Sequence, residues 1–334
     1  MVSLKDIAKE CQVSVATVSK ALNDHADISE ERKKMIREKA EEMGYRPNLF
    51  ARTLKTNRSY NIGVLFTDAE HNGLTHDYFA AVLDSFKVAA EARDYDLTFV
   101  NCGGSGGKRM TYLEHARYRG FDGIMIACVD FSEPEVLQLA LSDIPVVTID
   151  YIFNDRLAVV SDNAKGMEDL FTYIYQMGHR RIAYIHGTDS AVTTNRLASF
   201  GVEIPDEYVM MTRYRDTKGA GEATEKLLDL RRPPTCILYP DDFAALGGIH
   251  VIRERGMSIP EDISIAGYDG IRLAKLTVPN LTTLCQDTQH LGQYAAEKLI
   301  DLIEKPKTAM RNITIVQGKL YEGQTVLKLD GSRG

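Results

Sequence analysis

The chain has 334 residues with a formal net charge of −7 at pH 7, enough for a sizeable core divided among two or three domains. Its 44% hydrophobic and 26% charged residues are ordinary for a soluble protein, and no apolar run approaches the ~18–20 residues of a membrane-spanning helix. The N-terminus lacks an apolar signal region and the five scattered cysteines form no CxxC pair, so we expect a cytoplasmic protein with reduced thiols, no metal site and no cofactor.

The charge is unevenly distributed along the chain. Residues 1–60 carry 12 Lys and Arg against 9 Asp and Glu, whereas the remaining residues carry a net charge of −10. A weakly basic N-terminal segment on an acidic body favours contact between that segment and a phosphate backbone. The excess of positive charge is small, so this pattern alone does not identify a nucleic-acid-binding protein.

The first 44 residues predict three short helices, each with its own start signal. Ser3 with Asp6 predicts the start of the first, Ser14 caps the second, and Ser29 caps the third, which Gly44 ends. Two short helices joined by a tight turn and braced by a longer third helix form the layout of a helix-turn-helix module.

The second of these helices carries small and polar residues with one long donor. The candidates for contact with DNA are Ser14, Val15, Ala16, Thr17, Ser19 and Lys20. Little bulk, hydroxyls for phosphates or base edges, and one far-reaching lysine suit a helix that enters a major groove. Helix-turn-helix geometry also occurs in modules that bind no DNA, and Ser and Thr also serve as ordinary cap residues, so the spacing leaves both interpretations open.

The stretch after the third helix combines basic residues with an exposed leucine. Pro47 ends the third helix, and the next one or two turns of helix hold the candidates Asn48, Arg52, Leu54 and Lys55. So short a helix is marginal alone in water, and we expect a partner to order it. A leucine beside cations suits a wedge in the minor groove, and a plain interdomain linker is the alternative.

From residue 62 onward, short apolar stretches alternate with amphipathic helices. Strands are predicted at 62–66, 97–101, 123–127, 145–149, 158–160, 182–185, 235–238 and 263–266. Helices are predicted at 78–93, 108–118, 133–141, 164–177, 219–230, 243–255 and 291–304. This α/β alternation predicts two Rossmann-like subdomains, each a parallel sheet covered on both faces, split near residue 160. The helix 291–304 and strands near 312–317 and 325–329 should cross back between them.

Polar residues follow several of the predicted strands, where ligands gather in open parallel sheets. The candidates for an effector site in a cleft between the subdomains are Asp68, Tyr78, Phe79, Asp150, Arg196, Asp241 and Asp269. Carboxylates and a guanidinium bind pairs of hydroxyls, and aromatic rings stack on the apolar face of a sugar. The alternative for each aspartate is a helix N-cap at a strand–helix turn, and Asp242 in particular is expected to cap the helix that follows it.

Several runs together resemble the bacterial LacI/GalR family of transcriptional regulators. They are LKDIAKECQVSVATVSKALN, ISEERKKMI, GYRPNLFARTL, NIGVLF, MGHRRIAYIHG, PPTCILYPDDFAALG and IPEDISIAGYDG. The resemblance implies a helix-turn-helix head, a hinge helix and a core similar to type I periplasmic binding proteins. It also implies a homodimer on a near-palindromic operator. Within the chain, it implies base reading by Val15, Ala16 and Lys20, and an intercalating Leu54. The effector would be held by Arg196 and Asp269, with Tyr78 and Phe79 lining its site.

The chain departs from the family pattern at three places. Lys20 replaces the more common arginine and lacks its bidentate fork, and Asp241 replaces a frequent asparagine. Phe200 runs directly into Gly201, so roughly two to three turns of helix are absent. This deletion predicts an exposed apolar surface on the second subdomain, or a neighbouring segment that shifts to cover it.

These patterns predict a helix-turn-helix domain at 1–46, a hinge at 47–60 and an effector-binding core at 61–334. Within the core, we expect one subdomain at about 61–160 and 291–320, and the other at about 161–290 and 321–334. The expected function is that of a repressor of carbohydrate-utilisation genes that binds double-stranded operator DNA as a homodimer, responds to a sugar and has no membrane partner.

Two other classes of protein compete with the regulator. The body alone is equally typical of a transport-type solute-binding protein, but the DNA-binding head and the lack of a signal region argue against it. A sugar-modifying enzyme is the other alternative. The run GGSGGK at 103–108 does not fit a P-loop, and the chain contains no GxSxG or HExxH motif.

Overall fold

The structure, a computed structural model, describes residues 2–45, 53, 56, 58–67, 73–102, 109–153, 156–199 and 203–330. The chain divides into two compact units, Met1–Ser59 and Tyr60–Gly334. We call them the head and the core.

The head contains the three predicted helices: α1 (Leu4–Glu10), α2 (Val15–Leu22) and α3 (Glu30–Glu42). Their apolar faces meet in a small core around Ile7, Val18 and Ile36, each fully buried. Ser14 caps α2 as predicted, because its hydroxyl accepts a hydrogen bond of 3.0 Å from the amide of Thr17. Because three side chains from three helices share one core, the head has the packing of a helix-turn-helix module.

The ends of α1 and α3 follow from local sequence. The amide of Ser3 donates to Asp6 Oδ2 at 2.8 Å, which completes the predicted start of α1. Gly44 has φ +68° and ends α3, as a residue without Cβ can do at no steric cost. Ser29 stands at the N-cap position of α3, but its side chain makes no capping hydrogen bond.

The core is built on two sheets, as predicted, and each has six strands among the described residues. The strands of the first sheet are β1 (Asn61–Phe66), β2 (Asp96–Phe99), β3 (Gly123–Ala127), β4 (Val146–Ile149), β5 (Leu157–Ser161) and β11 (Ile313–Val316), in the order β11-β5-β4-β3-β1-β2, all parallel. Its helices are α4 (Asp77–Glu91), α5 (Tyr112–Arg119), α6 (Pro134–Ala140) and α11 (Thr288–Glu304). We call this sheet and these helices the first lobe.

The second lobe is formed by the other sheet and the helices between its strands. Its strands are β6 (Ile182–His186), β7 (Val209–Met211), β8 (Cys236–Leu238), β9 (Ser264–Asp269), β10 (Thr282–Cys285) and β12 (Lys319–Tyr321), in the order β12-β10-β9-β8-β6-β7. Only β12 runs antiparallel to its neighbour. The helices are α7 (Asn163–Gln176), α8 (Ala191–Leu197), α9 (Thr217–Leu228) and α10 (Asp242–Glu254).

Helix α11 returns from the second sheet to the first lobe, as the sequence predicts. Its residues Leu291 and Leu299 lie in one apolar cluster with Val82 and Phe86 of α4. The two helices approach closely, because a Cβ at Gly292 would collide with the carbonyl oxygen of Val82. The chain then enters β11 in the first sheet and β12 in the second.

The predicted strand at 325–329 is wrong. This segment lies beside the second sheet but forms no regular strand. The hydroxyl of Thr325, rather than a backbone group, makes hydrogen bonds with one amide and one carbonyl of the sheet. Its hydroxyl accepts from the amide of Thr282 at 2.9 Å and donates to the carbonyl of Ile265 at 2.7 Å. One short α-helix, α8, and three short strands, β7, β10 and β12, were not predicted.

The connection from α8 to β7 contains the position where the sequence departs from the family pattern. Tyr208 is buried, and its hydroxyl donates to the carbonyl of Arg232 at 2.7 Å. Leu197 and Met211 are exposed, at 38% and 63%. Whether the deletion exposes an apolar surface or a neighbouring segment covers it stays a prediction.

The described residues contain neither a helix that could span a membrane nor a cluster that could hold a metal ion. No helix among them is long and apolar enough to cross a bilayer. No group of three or more His, Cys, Asp or Glu side chains in the described ranges is arranged to hold a metal ion. None of the five cysteines, all of which the structure describes, is part of a disulfide.

Candidate functional site

The candidate DNA-contacting residues of the head lie on or beside α2. Ser14, Val15, Ala16 and Lys20 are exposed, and Thr17 and Ser19 are partly exposed. The apolar side of the helix is turned inward, because Val18 and Ala21 are buried in the core of the head. Helix α2 thus presents the small, polar surface that the sequence predicts for a recognition helix; contact of these side chains with bases stays a prediction.

Lys20 has an unpredicted partner within the head. Its ammonium donates to a carboxylate oxygen of Asp27 in the connection between α2 and α3. The hydrogen bond from Lys20 lowers the pKa of the Asp27 carboxyl. Both side chains are about half exposed, so water and a phosphate or base compete readily for the lysine.

Five of the predicted site residues lie outside the described residues. They are Asn48, Arg52, Leu54 and Lys55 of the predicted hinge, and Asp68 after β1. Their proposed roles rest on the sequence.

In the core, Arg196 is the centre of a buried network of the second lobe. It stands in the last turn of α8, and its side chain is 3% exposed. Its Nε donates to Asn163 Oδ1 at 2.9 Å, and its Nη1 donates to the carbonyl of Pro240 at 2.7 Å. The face of the guanidinium lies on the ring of Tyr268, 3.5 Å from the ring centroid. The arginine is therefore fixed by groups from α7, from the turn after β8 and from β9.

Asp269 completes this network at the carboxyl end of β9. Its Oδ1 lies 3.8 Å from Arg196 Nη2 and accepts a hydrogen bond of 2.6 Å from Gln286 Nε2. Burial raises the pKa of Asp269 to about 6, although the charge of Arg196 opposes this shift. Gln286, which lies just after the unpredicted strand β10, was missed by the sequence reasoning.

Tyr78 and Asp150 form the corresponding polar group of the first lobe. The hydroxyl of Tyr78 donates to Asp150 Oδ2 at 2.5 Å, while Asp150 Oδ1 accepts from the amide of Ser161 at 2.7 Å. Burial and the charge of Asp150 raise the pKa of Tyr78 well above its ordinary value, so the phenol stays protonated. Phe79 packs edge-on against Tyr78, with ring centroids 4.9 Å apart.

The polar groups of the two lobes influence each other electrostatically. The negative charge of Asp150 in the first lobe makes a small contribution to the raised pKa of Asp269 in the second lobe. Likewise, the charge of Asp269 makes a small contribution to the raised pKa of Tyr78. That the two groups line one ligand site stays a prediction.

Asp241, a predicted residue of the effector site, also has a structural role. It is the N-cap of α10, and its Oδ1 accepts from the amide of Ala244 at 2.7 Å. Its Oδ2 accepts from the amide of Arg215, also at 2.7 Å. Because both oxygens bind backbone amides, Asp241 orders two turns of the second lobe. The expectation that Asp242 caps this helix is wrong, since the backbone of Asp241 has the extended conformation of a cap.

Asp242 is instead the first residue of α10 and is buried at 1% exposure. Its Oδ2 accepts from the amide of Ile271 at 2.8 Å. Burial raises the pKa of this carboxyl well above its ordinary value. The side chain thus ties the start of α10 to the turn after β9.

The arrangement suits recognition of a polyhydroxylated ligand. A guanidinium and an amide supply donors, several carboxylates supply acceptors, and the partly exposed ring of Phe79 supplies an apolar face. In these groups the structure brings together Arg196, Asp269, Tyr78, Phe79 and Asp150.

Comparison with known proteins agrees with this architecture. Residues 3–48 match the model of bacterial regulatory proteins of the lacI family, and residues 171–326 match a periplasmic binding protein-like domain. The chain is 31% identical to the probable HTH-type transcriptional repressor ExuR of Bacillus subtilis (strain 168), over 94% of this chain and 95% of that protein.

Two solved structures have the same fold at lower identity. The lac repressor dimer bound to operator and the anti-inducer ONPF has a TM-score of 0.78 at 22% identity, covering 98% of this chain and 99% of that chain. The complex of the transcriptional regulator CelR with cellobiose has a TM-score of 0.69 at 22% identity, covering 97% and 100%. From the two matched segments and the identity to a repressor along nearly its whole length, this chain belongs to the LacI family of bacterial regulatory proteins.

Proposed function

We propose that this protein is a transcriptional repressor of carbohydrate-utilisation genes, and that a sugar bound between the lobes of its core controls its affinity for operator DNA. The observation that carries the proposal is the buried network of Arg196, Asp269 and Tyr268 at the carboxyl ends of the second sheet. A fixed guanidinium beside a carboxylate is suited to the hydroxyls of a sugar, and the partly exposed ring of Phe79 in the first lobe is suited to its apolar face.

The head supports the DNA-binding half of the proposal. Helix α2 exposes Ser14, Val15, Ala16 and Lys20, while its other side is packed on α1 and α3. We propose that α2 enters the major groove of double-stranded operator DNA and that Asn48, Arg52, Leu54 and Lys55 form a hinge in the minor groove. A two-fold homodimer would place two such heads on a near-palindromic site in the cytoplasm.

The proposed regulation is a coupling between cleft and operator. A ligand that contacts both lobes binds the closed core more tightly than the open core, and so shifts the population toward closure. Closure moves the lobe joined to the hinge, and thereby changes how readily the hinge becomes ordered on DNA. Couplings of this kind amount to about 1–3 kcal/mol, or roughly 5- to 150-fold in affinity.

A sugar is favoured as ligand by the chemistry of the cleft. Cellobiose is bound by the CelR structure that shares this fold. The carboxylates and the guanidinium of the cleft come from rigid elements, as specific recognition of hydroxyl geometry requires.

Two experiments test the proposal. Operator sequences are enriched from random duplex DNA with the full chain, and binding is measured by gel shift at rising salt; we expect a palindromic site and an affinity that falls steeply with salt. A thermal-shift screen against mono- and disaccharides then seeks a ligand that raises the melting temperature. Absence of any enriched operator would remove the repressor function, and turnover of the ligand would favour an enzyme.

A further inference from the structure

One side chain of the second lobe reaches across the cleft and holds two groups of the first lobe. Arg215 lies in the connection between β7 and α9. Its Nη1 donates to Asp77 Oδ2 at 3.0 Å, and its Nη2 donates to the carbonyl of Thr75 at 3.2 Å. Asp77 is the first residue of α4, and Thr75 ends the short 3₁₀ turn before it. The arginine therefore joins the entrance of α4 to the second lobe.

The backbone of Arg215 is held in a conformation that suits this reach. Its φ is +60°, in the left-handed region that side chains with a Cβ rarely adopt. Two aspartates fix it there: the amide of Arg215 donates to Asp241 Oδ2 at 2.7 Å, and the following residue, Asp216, caps α9 by accepting from the amide of Gly219 at 2.8 Å. The turn is thus anchored to the starts of both α9 and α10, which aims the side chain before the lobes meet.

The guanidinium of Arg215 makes its hydrogen bonds with the other lobe, and within its own lobe its charge is attracted by Asp241. The side chain is 7% exposed, and its planar group lies 4.3 Å from the centroid of the Phe243 ring. Its Nε has no hydrogen-bond partner among the described residues. Both hydrogen bonds found for its terminal nitrogens run to the other lobe. A buried cation is costly unless it is paired, so the closed arrangement depends on Asp77 and Thr75.

We propose that Arg215 is a positioning residue that clamps the two lobes together, so that the core is drawn closed by its own side chains before an effector binds. When the cleft opens, the guanidinium exchanges Asp77 and Thr75 for water. The clamp therefore sets the ratio of closed to open core. Only one consequence of the clamp rests on the proposed function: loosening the clamp should weaken the binding of an effector that needs the closed cleft.

The test measures the separation of the lobes in the full chain, with neither operator nor effector present. A donor and an acceptor dye are introduced through unnatural amino acids at Tyr118 in the first lobe and Val278 in the second, which are 69% and 81% exposed. We expect Arg215→Gln to raise the ratio of open to closed molecules about fivefold. This is the size of effect expected for loss of an ion pair in which the arginine is buried and the aspartate is about half exposed. Raising NaCl from about 0.05 to 0.5 M should open the parent protein and leave Arg215→Gln unchanged, because salt screens only the intact pair.

Arg255→Gln is the matched control. Arg255 also pairs with an aspartate, Asp229, with Nη1 2.6 Å from Oδ1, but both residues lie in the second lobe. This control should leave the separation of the lobes unchanged. Equal distributions for Arg215→Gln, Arg255→Gln and the parent would overturn the clamp.

A second variant and a thermodynamic cycle separate the clamp from simple damage to the turn. Asp77→Asn leaves the left-handed turn intact, and we expect it to open the cleft in the same direction as Arg215→Gln. The double variant should open it no further than Arg215→Gln alone, since the same pair is already lost. Additive effects would overturn the clamp. This measurement needs neither DNA nor sugar. The clamp can therefore be confirmed or contradicted independently of the search for an operator.

Discussion

The guanidinium of Arg196 lies on the face of the Tyr268 ring, with its central carbon 3.5 Å from the ring centroid. Tyr268 is fully buried, and its hydroxyl reaches the start of α7, where a Cβ at Gly166 would collide with it. The arginine that the proposed function assigns to the effector is therefore also part of the core of the second lobe. Changes at this position should affect both stability and ligand binding.

We expect Arg196→Met to lower the free energy of unfolding by about 3 kcal/mol, because Asn163 Oδ1 and the carbonyl of Pro240 would be left buried without their donor. Urea unfolding followed by circular dichroism measures this change. The control is Arg117→Met, which breaks an exposed pair with Asp143 at 3.0 Å and should cost less than about 1 kcal/mol. Equal losses for the two variants would contradict the view that the network around Arg196 supports the lobe.

Asp269 should make stability depend on pH between about 4 and 6. Burial raises its pKa from the ordinary 3.8 to about 6 in the folded protein, so the folded state binds this proton more tightly than the unfolded state does. The stabilisation from this group is complete below pH 4 and is lost as the pH rises through 6. Relative to the parent, Asp269→Asn should therefore gain up to about 3 kcal/mol in free energy of unfolding between pH 4 and 7.

Urea unfolding of both proteins at four pH values gives this difference directly, and other titrating groups cancel in it. Asp143→Asn is the control of opposite sign, because Arg117 lowers the pKa of Asp143. The contribution of Asp143 is present above its ordinary pKa and is lost as the pH falls. A difference between Asp269→Asn and the parent that does not vary with pH would contradict the raised pKa.

In the head, Lys20→Ala should weaken operator binding about 10- to 100-fold, the usual consequence of losing one base contact. Asp27→Asn should strengthen binding, since it releases the lysine from its carboxylate partner and removes a negative charge from beside the DNA. Fluorescence anisotropy with a labelled operator at several salt concentrations measures both. Lys34→Ala, on the exposed face of α3, is the control and should change affinity little. Unchanged affinity in Lys20→Ala would show that this lysine does not read the operator.

Leu54→Ala tests the predicted hinge, which the sequence places beside the cations Arg52 and Lys55. We expect weaker operator binding with sugar binding preserved, because the wedge contacts only the DNA. Anisotropy and calorimetry measure the two affinities separately. Leu141→Ala, an exposed leucine of the first lobe, should leave both unchanged. A Leu54→Ala protein with the parent's operator affinity would show that Leu54 is not a wedge.

Much of the fold could be predicted because the strongest signals are local. Strand β3 agrees with its prediction to the residue, since all five of its positions are buried and a continuous apolar run needs no partner to be recognised. The caps at Ser3 and Ser14 likewise depend on residues three positions apart. Short strands give weaker sequence signals. Strand β10, Thr282–Cys285, begins with two threonines, and it is stabilised by hydrogen bonds to the neighbouring strands β9 and β12.

The parts of the site that were missed depend on distant or conformational information. Arg215 is separated from its partner Asp77 by 138 positions of sequence. The direction of the Arg215 side chain depends on a left-handed backbone conformation that no local motif predicts. The choice between Asp241 and Asp242 as helix cap rests on backbone angles of two adjacent and chemically identical residues. Resemblance to a family identified Arg196 and Asp269; Gln286 lies in another run that resembles the family, PNLTTLCQDTQHLG, but no role was assigned to it.

The return of α11 and β11 to the first lobe affects how the protein is made. The apolar cluster of that lobe includes Leu291, Leu299 and Val316. During synthesis, the lobe that leaves the ribosome first must therefore wait for about the last seventh of the chain, which begins with α11, before its interior is filled. A nascent protein would have the second lobe nearly complete while the first still offers an apolar face to chaperones, so the two lobes mature in the reverse of their order in the gene.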